Sequence, residues 1–175
     1  MVSKLYCHFS SVKFHIKQFP AVMKFNGFYN KCFIFTCLLG LTISVYALFL
    51  EIIKEARPSY VPFCDVSETV SCSKALMSRW SRGFGIVGIL LGEKHFLNIR
   101  NPVYGIFFYI TLILLKLTKK RRCTRKVIFY LVVVSNIGSL YLAYLLYAVI
   151  HSLCLVCISI YVVNFCLLIL LRASK

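Results

Sequence analysis

Cysteine is the residue type whose number and placement first point to chemistry in this chain of 175 residues, which holds nine of them. Cys154 and Cys157 stand in C-L-V-C at the start of an apolar run. That spacing puts both thiols on one face of a helix, and a helix N-terminus favours a thiolate through its unpaired amides and macrodipole. An exchangeable, low-pKa pair is expected there. Cys64 and Cys72 stand in C-D-V-S-E-T-V-S-C; thiolate attack on disulfides could carry electrons from a soluble thiol partner to this second pair and on to the first. Two other readings of the same residues stay open. Zinc needs four ligands in a polar cage, and His151 just before Cys154 makes such a site arguable, although the Cys64–Cys72 spacing is not a usual zinc knuckle. The cysteines could also be static staples. No metal is assigned.

The elements that must position these residues are membrane helices. With 60% hydrophobic residues and a mean hydropathy of +0.82, the chain is too apolar for a soluble domain, which carries roughly 45–50%. Four runs approach the length of about 20 residues needed to cross a bilayer: 32–50, 102–117, 127–150 and 153–171. Lys116 near the end of the second can snorkel to the headgroups. His151 and Ser152 alone separate the third and fourth, which must form a tight antiparallel hairpin. The first run is longer than a signal-peptide core and is followed by Glu51–Lys54 in place of a small-residue cleavage site, so it is expected to be a retained anchor. The fold class is thus an all-α membrane protein, a four-transmembrane-helix bundle with a luminal cap loop and a short interfacial helix.

Charge orients the bundle. Residues 1–31 form a basic tail, the link between spans two and three reads TKKRRCTRK, and residues 172–175 carry Arg172 and Lys175, whereas all five acidic residues fall in the loop 51–101. Both termini and the basic link are expected to be cytoplasmic, and the loop luminal. The net charge of +16 reads as this orientation signal together with attraction to membrane lipid headgroups; no stacked-aromatic or basic-helix module supports nucleic acid as a partner. The same topology sorts the cysteines. Cys32, Cys37 and Cys166 fall within spans and serve as small apolar residues; Cys7 and Cys123 are cytoplasmic. Cys64, Cys72, Cys154 and Cys157 share the oxidising side, where disulfides persist. In the loop, Gly83–Gly92 reads as an interfacial or re-entrant helix lying over a cavity, and Asn101-Pro102 as the start of the second span, with asparagine as the N-cap. Asn164 reads as interhelical glue.

The strings CDVSETVSCS at Cys64–Ser73, SRWSRGFG at Ser78–Gly85, the N-x-x-N-x-x-Y-G-x-F-F-Y run at Asn98–Tyr109 and CLVCISIYVVN at Cys154–Asn164 together resemble the vitamin K epoxide reductase family over nearly everything from Lys31 to Arg172. The resemblance implies a four-helix bundle around a quinone pocket, closed luminally by a cap helix. It implies an active-site disulfide of Cys154 and Cys157, with Cys157 attacking the quinone or epoxide and Cys154 resolving it, and a relay pair of Cys64 and Cys72 with exchange between Cys72 and Cys154. By the same analogy Asn101 and Tyr161 hydrogen-bond the two ends of the ring system, and Tyr104 and Phe108 line the pocket. Trp80 anchors the cap. Leu76 and Tyr104 stand where the family commonly has phenylalanine, which bears on quinone preference and on sensitivity to coumarin-type inhibitors.

The expected function is therefore an endoplasmic-reticulum membrane thiol–quinone oxidoreductase, reducing vitamin K 2,3-epoxide to the quinone and the quinone to the hydroquinone. Quinone is the substrate, no cofactor is tightly bound, and a thioredoxin-like luminal dithiol protein donates the electrons. The competing readings are a quinone-linked disulfide-forming oxidase using another quinone, and a non-catalytic tetraspan protein stapled by disulfides.

Overall fold

The computed structural model describes residues 27–67, 69–92, 95–118 and 122–173. Six α-helices follow in order: α1 (Gly27–Ala56), α2 (Cys72–Leu76), α3 (Val87–Leu91), α4 (Asn101–Leu117), α5 (Arg122–Ala148) and α6 (Leu155–Ala173), with 3-10 turns at Arg79–Ser81 and Gly83–Gly85. Among the described residues no strand forms; the extended backbone makes two isolated bridges, Val70 with Leu153 and Arg82 with Arg100. Most of the basic tail, with Cys7, and residues 119–121 of the basic link lie outside the described residues.

Helices α1, α5 and α6 are long and apolar enough to cross a membrane, and α4 is an apolar helix of 17 residues. Hydropathy located these helices, but their ends obey hydrogen bonding. α1 continues past Leu50 to Ala56, and α5 starts at Arg122 and stops at Ala148. The fourth starts at Leu155, because the backbone of Leu153 is taken up by pairing with residues 69–71. The hairpin link therefore runs over 149–154 and is longer than the expected His151-Ser152. His151 turns it with a left-handed backbone (φ 50°), a conformation histidine tolerates better than most residues. The stretch 83–92, expected as one helix, divides into the turn Gly83–Gly85 and the five-residue α3.

α1 packs along α4 and α6, α6 packs on α5, and α4 meets α5 only sparsely. Small residues allow the first of these contacts: the ring of Tyr109 lies where a side chain on Gly40 would have to go, and Ser44 Oγ lies 2.7 Å from the place of a Cβ on Gly105. Without a hydrophobic drive between helices in lipid, such close approach is what gains dispersion energy. One apolar cluster, Phe33, Cys37, Tyr109, Leu112, Ile128, Val132, Val163, Leu167 and Leu171, fills the half of the bundle nearer the start of α1. A second joins Ala47, Leu50, Leu146 and Val156 to Cys64, Cys72, Ala75, Leu76 and Cys154, so these residues of the connection between α1 and α4 are packed onto the opposite helix ends. Phe28, Phe35, Phe49, Phe107, Leu114 and Leu140 are exposed on the outer surface, as a hydrocarbon environment permits.

Between the clusters runs a polar bridge. Tyr109 Oη donates to Asn164 Oδ1 at 2.9 Å, Asn164 Nδ2 donates to Ser139 Oγ at 2.9 Å, and Asn136 Nδ2 donates to the Asn164 carbonyl at 3.0 Å. Asn164 thus ties α4, α5 and α6 together. Gly40→Leu is expected to wedge α1 from α4 and to destabilise the protein by about 1–3 kcal/mol, the usual cost of overpacking, read as a lower unfolding temperature in detergent; shortening the opposing ring as well, in Gly40→Leu with Tyr109→Ala, is expected to recover part of it.

Candidate active site

Two helix starts lie side by side. Leu153 N–H donates to the Thr69 carbonyl at 2.7 Å and Ser71 N–H to the Leu153 carbonyl at 2.9 Å, so the chain enters α2 and α6 in parallel. Ser71 caps α2, its hydroxyl accepting from Lys74 N–H at 3.2 Å. Cys154 holds the equivalent place before α6, and there the cap acceptor is sulfur: Cys157 N–H donates to Cys154 Sγ at 3.2 Å. An N-cap side chain satisfies one of the orphan amides of the first turn. The Cys157 thiol, followed by the burial cost and the amides of Cys157 and Val156, sets the balance at Cys154, and these donors hold its thiol below the ordinary cysteine range.

Cys64 and Cys72 form a disulfide with a Cα–Cα distance of 5.7 Å, whereas Cys154 and Cys157 are free thiols. With Cys64 and Cys72 joined, neither sulfur is a thiolate ligand for zinc. Cys72 and Cys154 are both fully buried in one apolar cluster with Cys157 against it. The loop that carries the disulfide is held by Asp65, whose Oδ1 accepts from Ser73 N–H at 2.9 Å and from Ser71 Oγ at 3.0 Å. Burial works against the charged carboxylate, but the donors from residues 71–73 prevail and keep its pKa below the usual carboxylate value.

Next to Cys157 the bundle forms a partly open cavity of about 770 Å³, well within the range that holds a small molecule. Cys157, Tyr161 and Asn164 face it from α6, Asn101, Tyr104 and Phe108 from α4, Ser44 and Ala47 from α1, Val134 and Leu142 from α5, and Leu76, Trp80, Ser81 and Phe84 from the segment above. The sequence-named residues Asn101, Tyr104, Phe108, Cys157, Tyr161 and Trp80 are thus brought to one space. Cys154, Cys64 and Cys72 are not on its wall; they stand behind Cys157.

Asn101 holds the roof of this cavity. It is the first residue of α4 and Arg100 is the N-cap, so the asparagine expected as cap is instead turned toward the overlying loop. Its Nδ2 donates to the Trp80 carbonyl at 2.8 Å, and its Oδ1 accepts from Phe84 N–H at 2.8 Å. One N–H of the amide is left over. Phe84 has a left-handed backbone (φ 56°) between Gly83 and Gly85, which share it; outside glycine that conformation costs about 1–2 kcal/mol. At Gly85 a Cβ would collide with the Trp80 ring. Tyr104 meets the Phe84 ring at 5.2 Å between centroids and donates to the Leu97 carbonyl.

Comparison with known proteins gives the family of the chain. The model of the vitamin K epoxide reductase family matches residues 31–171. The chain belongs to that family. It is 40% identical over 128 residues to vitamin K epoxide reductase complex subunit 1 of Rattus norvegicus, covering 73% of this chain and 79% of the relative. It is 40% identical over 134 residues to the same subunit of Mus musculus, covering 77% and 83%. The family match takes in all four bundle helices and both cysteine pairs. The sequence reading did not single out Ser81, which lines the cavity, or the buried Glu51, whose Oε1 accepts from Ser81 Oγ at 3.1 Å; the acidic residue directly after the first apolar run was the available signal for Glu51.

Two outcomes follow for the site. Asn101→Ala removes both ties to the loop and leaves Phe84 N–H unpaired, at about 1–3 kcal/mol for a lost buried partner; hydrogen exchange is expected to accelerate over residues 80–90 and not in α5. For Asp65, a lowered native pKa gives stability that is present above the unfolded value of about 3.9 and is lost as pH falls through the lower folded value. The Cys64–Cys72 disulfide is accordingly expected to open faster to a phosphine reductant below pH ~4, and the acid dependence is expected to vanish in Asp65→Asn.

Proposed function

We propose that this chain is a membrane thiol–quinone oxidoreductase that reduces vitamin K 2,3-epoxide to vitamin K quinone and the quinone to the hydroquinone. The observation that carries the reading is the placement of one sulfur, Cys157, on the wall of a largely apolar cavity whose other walls carry Asn101, Tyr161, Tyr104 and Phe108, with Cys154 and the Cys64–Cys72 disulfide packed directly behind it. The relatives named for vitamin K epoxide reduction support the substrate.

In this mechanism a flat two-carbonyl ring lies against Phe108 and Tyr104. Tyr161, one turn beyond Cys157 on the same helix face, and the spare N–H of Asn101 donate to ring oxygens as negative charge develops there. Cys157 sulfur bonds to a ring carbon as its proton leaves. Cys154, its charge favoured by the cap amides, then attacks Cys157: the sulfur–sulfur bond forms, the carbon–sulfur bond breaks, and the electron pair stays with the ring. With the epoxide the oxygen departs as water. The new disulfide is reopened by exchange with Cys72, and Cys64, the more exposed of the relay pair, meets a thioredoxin-like dithiol protein.

Membrane placement follows the same reading. All four long helices cross the bilayer of the endoplasmic reticulum; α4 covers about 25 Å at 1.5 Å per residue, close to the hydrocarbon thickness of about 30 Å. Lys31, Lys116, Arg125, Lys126 and Arg172 stand at the helix ends away from Cys64, Cys72, Cys154 and Cys157, which supports cytoplasmic termini and a luminal cap formed by the connection between α1 and α4.

The test is dithiol-driven turnover in membranes. Wild type is expected to reduce both epoxide and quinone, and Cys157→Ser to fall to background while trapped-thiol mass spectrometry still finds the Cys64–Cys72 link. Equal activity in the variant overturns the mechanism, and quinone turnover without epoxide turnover overturns the substrate.

A further inference from the structure

Glu51 is 1% exposed, near the C-terminal end of α1. Its Oε1 accepts from Ser81 Oγ at 3.1 Å, while Oε2 is buried and meets no donor among the described residues. A buried carboxylate that leaves one oxygen unpaired is expensive, and nothing in the packing of α1 requires it. Ser81, its partner, lines the redox cavity on the other side.

Behind Glu51 a polar path leads to the surface. Glu55, one turn on, joins Arg82 at 2.6 Å and also Arg100; all three side chains reach solvent. Arg100 Nε, like Glu51 Oε2, is buried and without a partner. The charged groups that act on Glu51 are Arg100 ahead of α4, Arg82 of the overlying segment and Glu55 of its own helix, and Cys157 of α6 lies within electrostatic range. Surface, Glu55 with its two arginines, Glu51, Ser81 and cavity therefore follow one another.

We propose that Glu51 delivers protons through Ser81 to the bound substrate, and is itself reprotonated from solvent along the Glu55–Arg82–Arg100 cluster. The inference rests on the quinone reading above. Reduction of a quinone to its hydroquinone takes two electrons and two protons. The electrons come from the two sulfurs, which end as a disulfide. When Cys154 is ionised the pair holds one proton, that of Cys157, so the second must enter the largely apolar cavity from elsewhere. Glu51 as the acid gives its proton to Ser81 Oγ while the Ser81 hydroxyl proton passes to a ring oxygen; the carboxylate left behind takes a proton from the surface path. A hydroxyl can donate and accept at once and rotates to suit, so the Ser81–Glu51 hydrogen bond reverses its direction without moving a heavy atom. Glu51 touches no substrate and acts through Ser81.

The experiment is single turnover of the reduced, full-length protein in membranes with vitamin K quinone between pH 5.5 and 9, in light and heavy water. Glu51→Gln is expected to slow hydroquinone formation on the order of 100-fold, to flatten the pH profile and to abolish the solvent isotope effect, with quinone KM and the rate of dithiol reduction of the Cys154–Cys157 disulfide within twofold of wild type. Ser81→Ala is expected to match it, the double variant to be no slower than either, and Ser81→Thr, which keeps the hydroxyl, to retain most of the rate. A Glu51→Gln variant with wild-type rate and pH profile overturns the relay, and so does a loss that appears equally in disulfide reduction, which marks a structural role. If Glu51→Gln does not accumulate, the Ser81 pair decides: equal loss in Ser81→Ala and Ser81→Thr overturns the relay. Absence of quinone turnover in wild type with dithiol exchange intact removes the quinone reading, and the relay falls with it.

Discussion

Two hydrogen bonds made by Leu153, one to the carbonyl of Thr69 and one from the amide of Ser71, govern the site more than any side-chain contact. They dock the loop of one cysteine pair alongside the helix start of the other, and they do so with backbone groups that no substitution short of proline removes. Because Ser71 immediately precedes Cys72 and Leu153 immediately precedes Cys154, the pairing brings both cysteines together at the entrances of α2 and α6. Burial completes the effect. Thiol–disulfide exchange needs sulfurs that meet without competition from other thiols, and Cys72 and Cys154, both fully buried in one cluster, are shielded while Cys64 is left nearer the surface.

The roof over the cavity depends on a different balance. Phe84 accepts an unfavourable left-handed backbone, flanked by two glycines that accept it freely, and the amide of Asn101 meets both Phe84 N–H and the Trp80 carbonyl. The roof is held by these ties together with the Ser81–Glu51 hydrogen bond, the hydrogen bond from Gly83 N–H to the Ile99 carbonyl and the Arg82–Glu55 ion pair, polar contacts at the end of the bundle. The floor is built in the opposite way: Tyr109, Asn164 and Ser139 form a buried chain in which each polar atom has a partner, rigid because breaking it would strand polar groups in hydrocarbon.

How far these features can be read from sequence follows from their range along the chain. The helices were legible because each is a local run of apolar residues; their ends were less so, as α1 outlasts its apolar stretch and α6 starts late at Leu155, where a contact with residue 69 intervenes. Cysteine spacing and charge set Cys64, Cys72, Cys154 and Cys157 apart from the others, and these four gather in one cluster in the structure. The role of Asn101 was not legible. Its partners lie 17 and 21 residues away, and no local rule distinguishes a cap from a tie to a distant loop. The burial of Glu51 was hidden for the same reason: a carboxylate just past an apolar run reads as the water-exposed end of a span, and only the return of Ser81, 30 residues later, covers it.

In the proposed mechanism electrons and protons reach the cavity from different sides, and the arrangement gives each a medium suited to it. Sulfur-to-sulfur exchange proceeds by direct contact and tolerates an apolar surrounding, which also raises the cost of a stray thiolate; the cysteines accordingly lie among Leu50, Leu146 and Val156. Protons need an unbroken line of groups that can hold and release them, and the polar residues of this end of the bundle, Glu51, Glu55, Ser81, Arg82 and Arg100, are grouped on the face of α1 and the loop that meets it. Mixing the two would be costly: a thiol within the proton line would be lost to alkylation and oxidation from solvent. Keeping the carboxylate on the first helix and the thiols on the last lets a single apolar cavity serve both.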